Sequence, residues 1–136
     1  MKLDTNGTNP GMVKELIEKR LVDYIAMDLK GPESSYDKIC GTKADLGKIR
    51  ESITLIIGSG IEHEFRSTVL PALHTKEDVE AMARMVKGAR KFYLQQFRPK
   101  NTLDQKFLKE RPFTKEEMLE LRELCGRHVK TELRMN

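Results

Sequence analysis

Cysteine is scarce in this chain, which has two, Cys40 and Cys125, in different predicted elements and with no metal-ligand spacing around either. Neither a disulfide scaffold nor a self-contained zinc or iron–sulfur site is expected. The histidines, His63, His74 and His128, are equally dispersed. Isolated histidines of this kind are read as structural or solvent-exposed rather than as metal ligands. No apolar run is long enough to cross a bilayer, and MKLDTNGTNPG has neither the apolar segment of a signal peptide nor a lipidation signal. No membrane association and a cytoplasmic location are expected. Glycines complete neither GxGxxG nor GxxxxGK[ST], so a Rossmann or P-loop nucleotide site is not expected. Repeats and low-complexity segments are missing too.

What is present is a soluble, globular balance. Of 136 residues, 38% are apolar and 34% charged, and the net charge is +4. That length suits one core, so residues 1–136 are read as a single domain. The basic excess gathers at 87–92, 97–100 and 106–111. Basic residues there alternate with glutamates along helices, as on a solvated face, and no nucleic-acid module accompanies them. Nucleic acid is not an expected partner.

Elements alternate along the chain. Lys2–Thr5 precedes an Asn-Gly turn, Asn9-Pro10 reads as a helix cap and first turn, and Val13, Leu16, Ile17 and Leu21 follow at helical spacing. Residues 22–30 read as a strand stopped by Gly31-Pro32, and 33–43 as a loop with a helical turn near Ser35–Ile39. A helix carrying Leu46, Ile49, Ile53 and Ile56 ends at Gly58-Ser59-Gly60. A strand spans 61–71, and Thr75 with Asp78 then has capping-box spacing ahead of Val79, Met82, Ala83 and Val86. Residues 92–97 form another strand and lead to a proline-bounded segment ending at Pro112. Thr114 with Glu117 caps a helix carrying Met118, Leu121 and Leu124, and VKTELRM closes the chain as a final strand. Such alternation predicts an α/β fold with parallel strands.

Parallel strands covered by helices usually read as near-continuous apolar runs. Residues 22–30 break that pattern with Asp28 and Lys30, which share a face because they are two apart. Arg66 and Thr68 do the same on the next strand, and Asp4 on the one before. Buried singly, each charge would carry a desolvation cost of several kcal/mol. A structural ion pair accounts for Asp28 and Lys30 alone. Three successive strands of this kind fit a convergent polar site at the C-terminal mouth of a barrel. Met12 and Met27 are read as core filling.

These segments also resemble a known family. LDTNG (3–7), YIAMDLK (24–30), FRSTVLP (65–71) and LQQFRP (94–99) are similar to the C-terminal part of the radical S-adenosylmethionine activating enzymes. That group includes activators of pyruvate formate-lyase and of anaerobic ribonucleotide reductase. The resemblance covers nearly the whole chain and is weakest beyond Asn101. It implies the C-terminal half of a partial (β/α) barrel, with S-adenosylmethionine and a [4Fe-4S] cluster as cofactors of the full-length proteins. A glycyl-radical enzyme, such as anaerobic ribonucleotide reductase or pyruvate formate-lyase, is the implied partner. Asp4, Thr5 and Asp28 match positions holding a monovalent cation near the cofactor carboxylate. Lys30 matches a lysine beside the cofactor, and Arg66 an inward arginine. Arg98 falls where the family has a cofactor-contacting histidine. No catalytic acid or base is assigned.

The family's CxxxCxxC and its glycine-rich GGEP-like stretch are both missing from the sequence. Three separated origins for Met1 stay open: an internal start, a cloning boundary and a split gene. The expectation is a C-terminal portion without a cluster of its own, inactive in radical chemistry by itself. Two other readings stand beside it. One is a non-catalytic binding or assembly protein, pairing its exposed sheet edges with a second copy or a complementary N-terminal half. The other is an unrelated small-molecule α/β enzyme.

Overall fold

The computed structural model describes residues 1–40, 43–97 and 111–135. In chain order these form β1 (Lys2–Thr5), α1 (Pro10–Glu18), β2 (Tyr24–Asp28), α2 (Tyr36–Cys40) after a 3₁₀ turn at Glu33–Ser35, α3 (Leu46–Gly58), β3 (Glu62–Val69), α4 (Lys76–Met85), β4 (Phe92–Gln96), α5 (Lys115–Gly126) and β5 (Thr131–Arg134). The five strands make one sheet in the order β1-β2-β3-β4-β5, with every adjacent pair parallel. The sheet is open, and β1 and β5 are its edges. This is the expected partial (β/α) barrel.

Local chemistry sets the helix ends. Asn9 accepts a hydrogen bond from the Met12 amide with Pro10 at the first turn, and Asp45 accepts from the Lys48 amide. Both anticipated capping boxes form reciprocally, Thr75 with Asp78 and Thr114 with Glu117. One helix differs from expectation: α1 stops at Glu18, and Leu21 lies beyond it, 52% exposed. Arg20 takes a left-handed φ of 55°, its amide bonds to Ile17 O, and the Leu21 amide reaches back to Leu16 O. This is a Schellman ending with arginine where glycine is usual, so the sequence carries no glycine to mark it.

Alternation along the strands separates two faces. Ile25 and Met27 of β2, Phe65 and Val69 of β3, and Phe92 and Leu94 of β4 pack with Val13, Ile49, Ile56, Met82, Met118 and Leu121 from the helices in one continuous core. Most of these side chains are fully buried. Gly7, at φ 77°, turns the chain out of β1 so tightly that a Cβ there would lie 2.3 Å from Met27 Cε. The turn is held by the Gly7 amide donating to Thr5 Oγ1 (3.0 Å) and by Ser52 Oγ donating to Gly7 O (2.9 Å). The other face carries Asp4, Tyr24, Asp28, Glu64, Arg66, Thr68, Tyr93, Gln95 and Arg134, and none of the core helices packs on it.

Candidate functional site

The uncovered face holds two groups of interacting side chains. The first lies toward the C-terminal ends of the strands. Asp28 and Arg66 are register partners across β2 and β3, and Asp4 lies opposite Ala26, two residues earlier on β2. That offset lets Arg66 reach both acids: its Nε donates to Asp28 Oδ1 at 2.7 Å, and its Nη2 is 3.1 Å from Asp4 Oδ1. The hydrogen bond to Asp28 raises the Arg66 pKa further above its ordinary value. Arg66 is the best shielded of the three side chains, at 19% exposed, against 39% for Asp28 and 57% for Asp4. Water therefore screens these ion pairs substantially, leaving the acids accessible to a ligand.

The second group lies nearer the N-terminal ends. Glu64 is 2% exposed and accepts from the Tyr24 hydroxyl at 2.6 Å. Arg134 reaches across β4 from β5, donating through Nη2 to Glu64 Oε1 at 3.1 Å, while its Nη1 stands 2.9 Å from Oε2 without hydrogen-bond alignment. On the way the guanidinium stacks over the Tyr93 ring, 3.8 Å from its centroid. Burial pushes the Glu64 pKa up, but the Tyr24 and Arg134 hydrogen bonds outweigh it, and the net shift is downward. Tyr24 responds in the opposite sense: burial first, then the bond to Glu64, pushes its phenol up to about 12.

Beside the first group, at the strand mouth, is a cavity of about 570 Å³ whose walls include Asn6, Thr8, Lys30, Thr68, His74 and Phe97. Its wall is fixed by His74, which accepts from the Leu70 amide through Nδ1 (3.3 Å) and contacts Lys30 O through Nε2 (3.0 Å). The neutral Nε2–H tautomer satisfies both contacts. Burial keeps the His74 pKa below its ordinary value. The Lys30 side chain is exposed at the rim, and Thr68 donates to Gln95 on the same face.

Of the residues singled out from sequence, Asp4, Asp28 and Arg66 therefore meet directly, and Lys30 stands at the neighbouring cavity. Thr5 does not join them. It follows Asp4 in the strand, so its side chain points to the helix layer, where its hydroxyl is bound to Gly7. Arg98 lies outside the described residues. The second group went unrecognised, although Glu62, Glu64, Arg66 and Thr68 have the period-two spacing that places them on one face. Arg134 could not be found that way, because its link to Glu64 spans two strand pairings.

The donor set argues against an iron–sulfur cluster on this chain. Three clustered thiolates are required, and the sequence has two separated cysteines. Cys125 is buried beneath Val79, and burial pushes its thiol up to about 12, so it stays protonated. Among the described residues no three His, Cys, Asp or Glu side chains form a metal-binding group. S-adenosylmethionine is different: partly exposed acids, an arginine and a lysine suit its ammonium, carboxylate and sulfonium groups. No described helix is long and apolar enough to cross a membrane.

The open sheet of parallel strands and its helices match a partial (β/α) barrel of the radical S-adenosylmethionine type. Superposition agrees: a domain of pyruvate-formate lyase-activating enzyme from Bacteroides vulgatus matches with a TM-score of 0.76, covering 98% of this chain and 80% of that one at 13% identity. Sequence similarity carries the assignment further. The chain is 38% identical over 128 residues, 91% of its length, to a protein of Methanocaldococcus jannaschii named as a glycyl-radical enzyme activating enzyme. This homology supports membership in the radical S-adenosylmethionine family of glycyl-radical enzyme activating proteins, and the chain spans 52% of that relative's length. No family model matches the chain.

Proposed function

We propose that this chain is the cofactor-positioning portion of a glycyl-radical enzyme activator, a binding and assembly unit that has no radical chemistry of its own. The observation supporting this most directly is the bridge from Arg66 to Asp4 and Asp28 on a sheet face that no described helix covers. Parallel sheets normally bury both faces. A charged, open one suits a polar ligand enclosed when a further part of a barrel is added.

In this reading S-adenosylmethionine supplies the radical precursor when bound. Asp28 and Asp4, through the oxygens that Arg66 leaves free, receive the ammonium of its zwitterionic head, and Lys30 stands at the mouth to meet the carboxylate of the same head. Arg66 holds the two acids in place so that they need not reorganise as the ligand arrives. These residues bind and orient, and none of them transfers a proton. The cluster required for reductive cleavage has to come from outside these 136 residues, because their thiols cannot hold it. The partner proposed for the assembled protein is a glycyl-radical enzyme.

Calorimetric titration with S-adenosylmethionine tests this reading. The chain alone is expected to bind weakly or undetectably, with affinity recovered on adding a cluster-bearing complementary half. Lys30→Ala should lose affinity in the reconstituted protein and keep its circular dichroism. Tight binding without the cluster-bearing half would overturn the division of roles, and global unfolding of Lys30→Ala would make Lys30 structural. A second reading, self-association, is favoured by the two unpaired edge strands, β1 and β5. Sedimentation at several concentrations separates the two: a monomer that assembles only with a complementary half supports the first.

A further inference from the structure

The family resemblance implies a monovalent cation between Asp4, Thr5 and Asp28, and the geometry disagrees. We propose that the Arg66 guanidinium is this protein's resident cation at that place, so that the two acids hold no inorganic ion.

Position is the first ground. Nε lies 2.7 Å from Asp28 Oδ1 and Nη2 lies 3.1 Å from Asp4 Oδ1, so the guanidinium already bridges an oxygen of each acid. Arginine suits this role because its planar fork presents donors in two directions at once, with a charge that is never lost. An ion placed between the same oxygens would have to displace it or share them.

The second ground is ligand count. A bare cation needs a shell of oxygens. The Thr5 hydroxyl is on the opposite side of β1, bound to the Gly7 amide at 3.0 Å. Bringing it across would break the turn that carries Gly7 over Met27. Of the side chains at these positions, the two carboxylates remain, and Oδ1 of each is already engaged by Arg66.

Charge balance is the third. Two aspartates and Arg66 sum to one negative charge, and Lys2 Nζ stands 3.9 Å from Asp4 Oδ1. The cluster is neutral with protein groups alone. An added cation would make it positive, with no further acid among the described residues paired to Arg66.

None of this depends on S-adenosylmethionine, so the test uses the chain alone. Thermal unfolding is followed in potassium, sodium or tetramethylammonium chloride at one ionic strength, for the wild type and for Arg66→Met. The expected result is an identical wild-type midpoint in all three salts. Arg66→Met should melt lower than the wild type in all three salts, because the two acids lose their bridging guanidinium and Thr5 cannot complete an ion's shell. Selective, saturable stabilisation of the wild type overturns the proposal. So does an Arg66→Met that regains the wild-type midpoint, saturably and selectively, in potassium or sodium, since an ion would then fit between the two acids. Should Arg66→Met not fold, thallium-205 NMR of the wild type decides: no saturable bound signal supports the proposal, and a saturable one overturns it.

Discussion

One face of this sheet is held by exclusion of water and the other by exchange of charge. On the helix side Phe65, Phe92 and Leu94 have no exposed surface, and the core they belong to includes residues from all five helices. On the open side, strands are linked through Asp28 and Arg66, through Tyr24, Glu64 and Arg134, and through Thr68 and Gln95. Folding therefore draws its stability mainly from one face, and the other can keep polar groups in an arrangement that serves a ligand. The two faces of the same strands answer to different physics.

Substitutions can break that contrast, and the largest effect is expected from Phe65→Ala. Emptying a fully buried ring site should cost ~3–5 kcal/mol in urea unfolding, through lost transfer energy and an unfilled cavity. A cost below about 1 kcal/mol would mean that the helix face is not the principal core. Glu64→Ala should come next, at about 2 kcal/mol, because Tyr24 and Arg134 lose a partner shielded from water. Combining it with Arg134→Ala should give less than the sum of the two single effects, which is the sign of direct coupling.

Titration sharpens the comparison further. Tyr24 ionises near 10 when unfolded and is raised to about 12 in the folded chain, so it favours folding fully below pH 10. That contribution falls as the unfolded phenol ionises and is gone above about pH 12. Phenolate absorbance of Tyr24→Phe against wild type should show one late-titrating tyrosine missing. Glu64 has the opposite sign: its lowered pKa makes its contribution present above the ordinary carboxylate range and lost as pH falls through the folded value. The smallest effect belongs to Thr68→Val, which removes an exposed bond to Gln95 and should change stability by less than about 0.5 kcal/mol.

The order of elements was legible because its signals are local. Capping pairs sit three residues apart, the Asn-Gly turn is contiguous, and apolar residues recur at helix or strand spacing. The end of α1 was not legible, since a left-handed Arg20 replaces the glycine that usually marks such a turn. In the site, Asp4, Asp28 and Arg66 could be grouped from period-two alternation and the order of strands. Two things could not. Thr5 follows Asp4 directly, and the family resemblance grouped them where the pleat drives them apart. The bond between Arg134 and Glu64 depends on β5 lying two strands from β3, a distance that no local window contains.

Strand order in this sheet is also chain order, and that has a kinetic consequence. Each strand pairs with the next strand along the chain, so closing every loop costs a similar, moderate entropy. Among the described residues, no strand has to insert between two already paired. Folding can then begin at any βα unit and spread to either side, with no obligatory first pairing between distant ends.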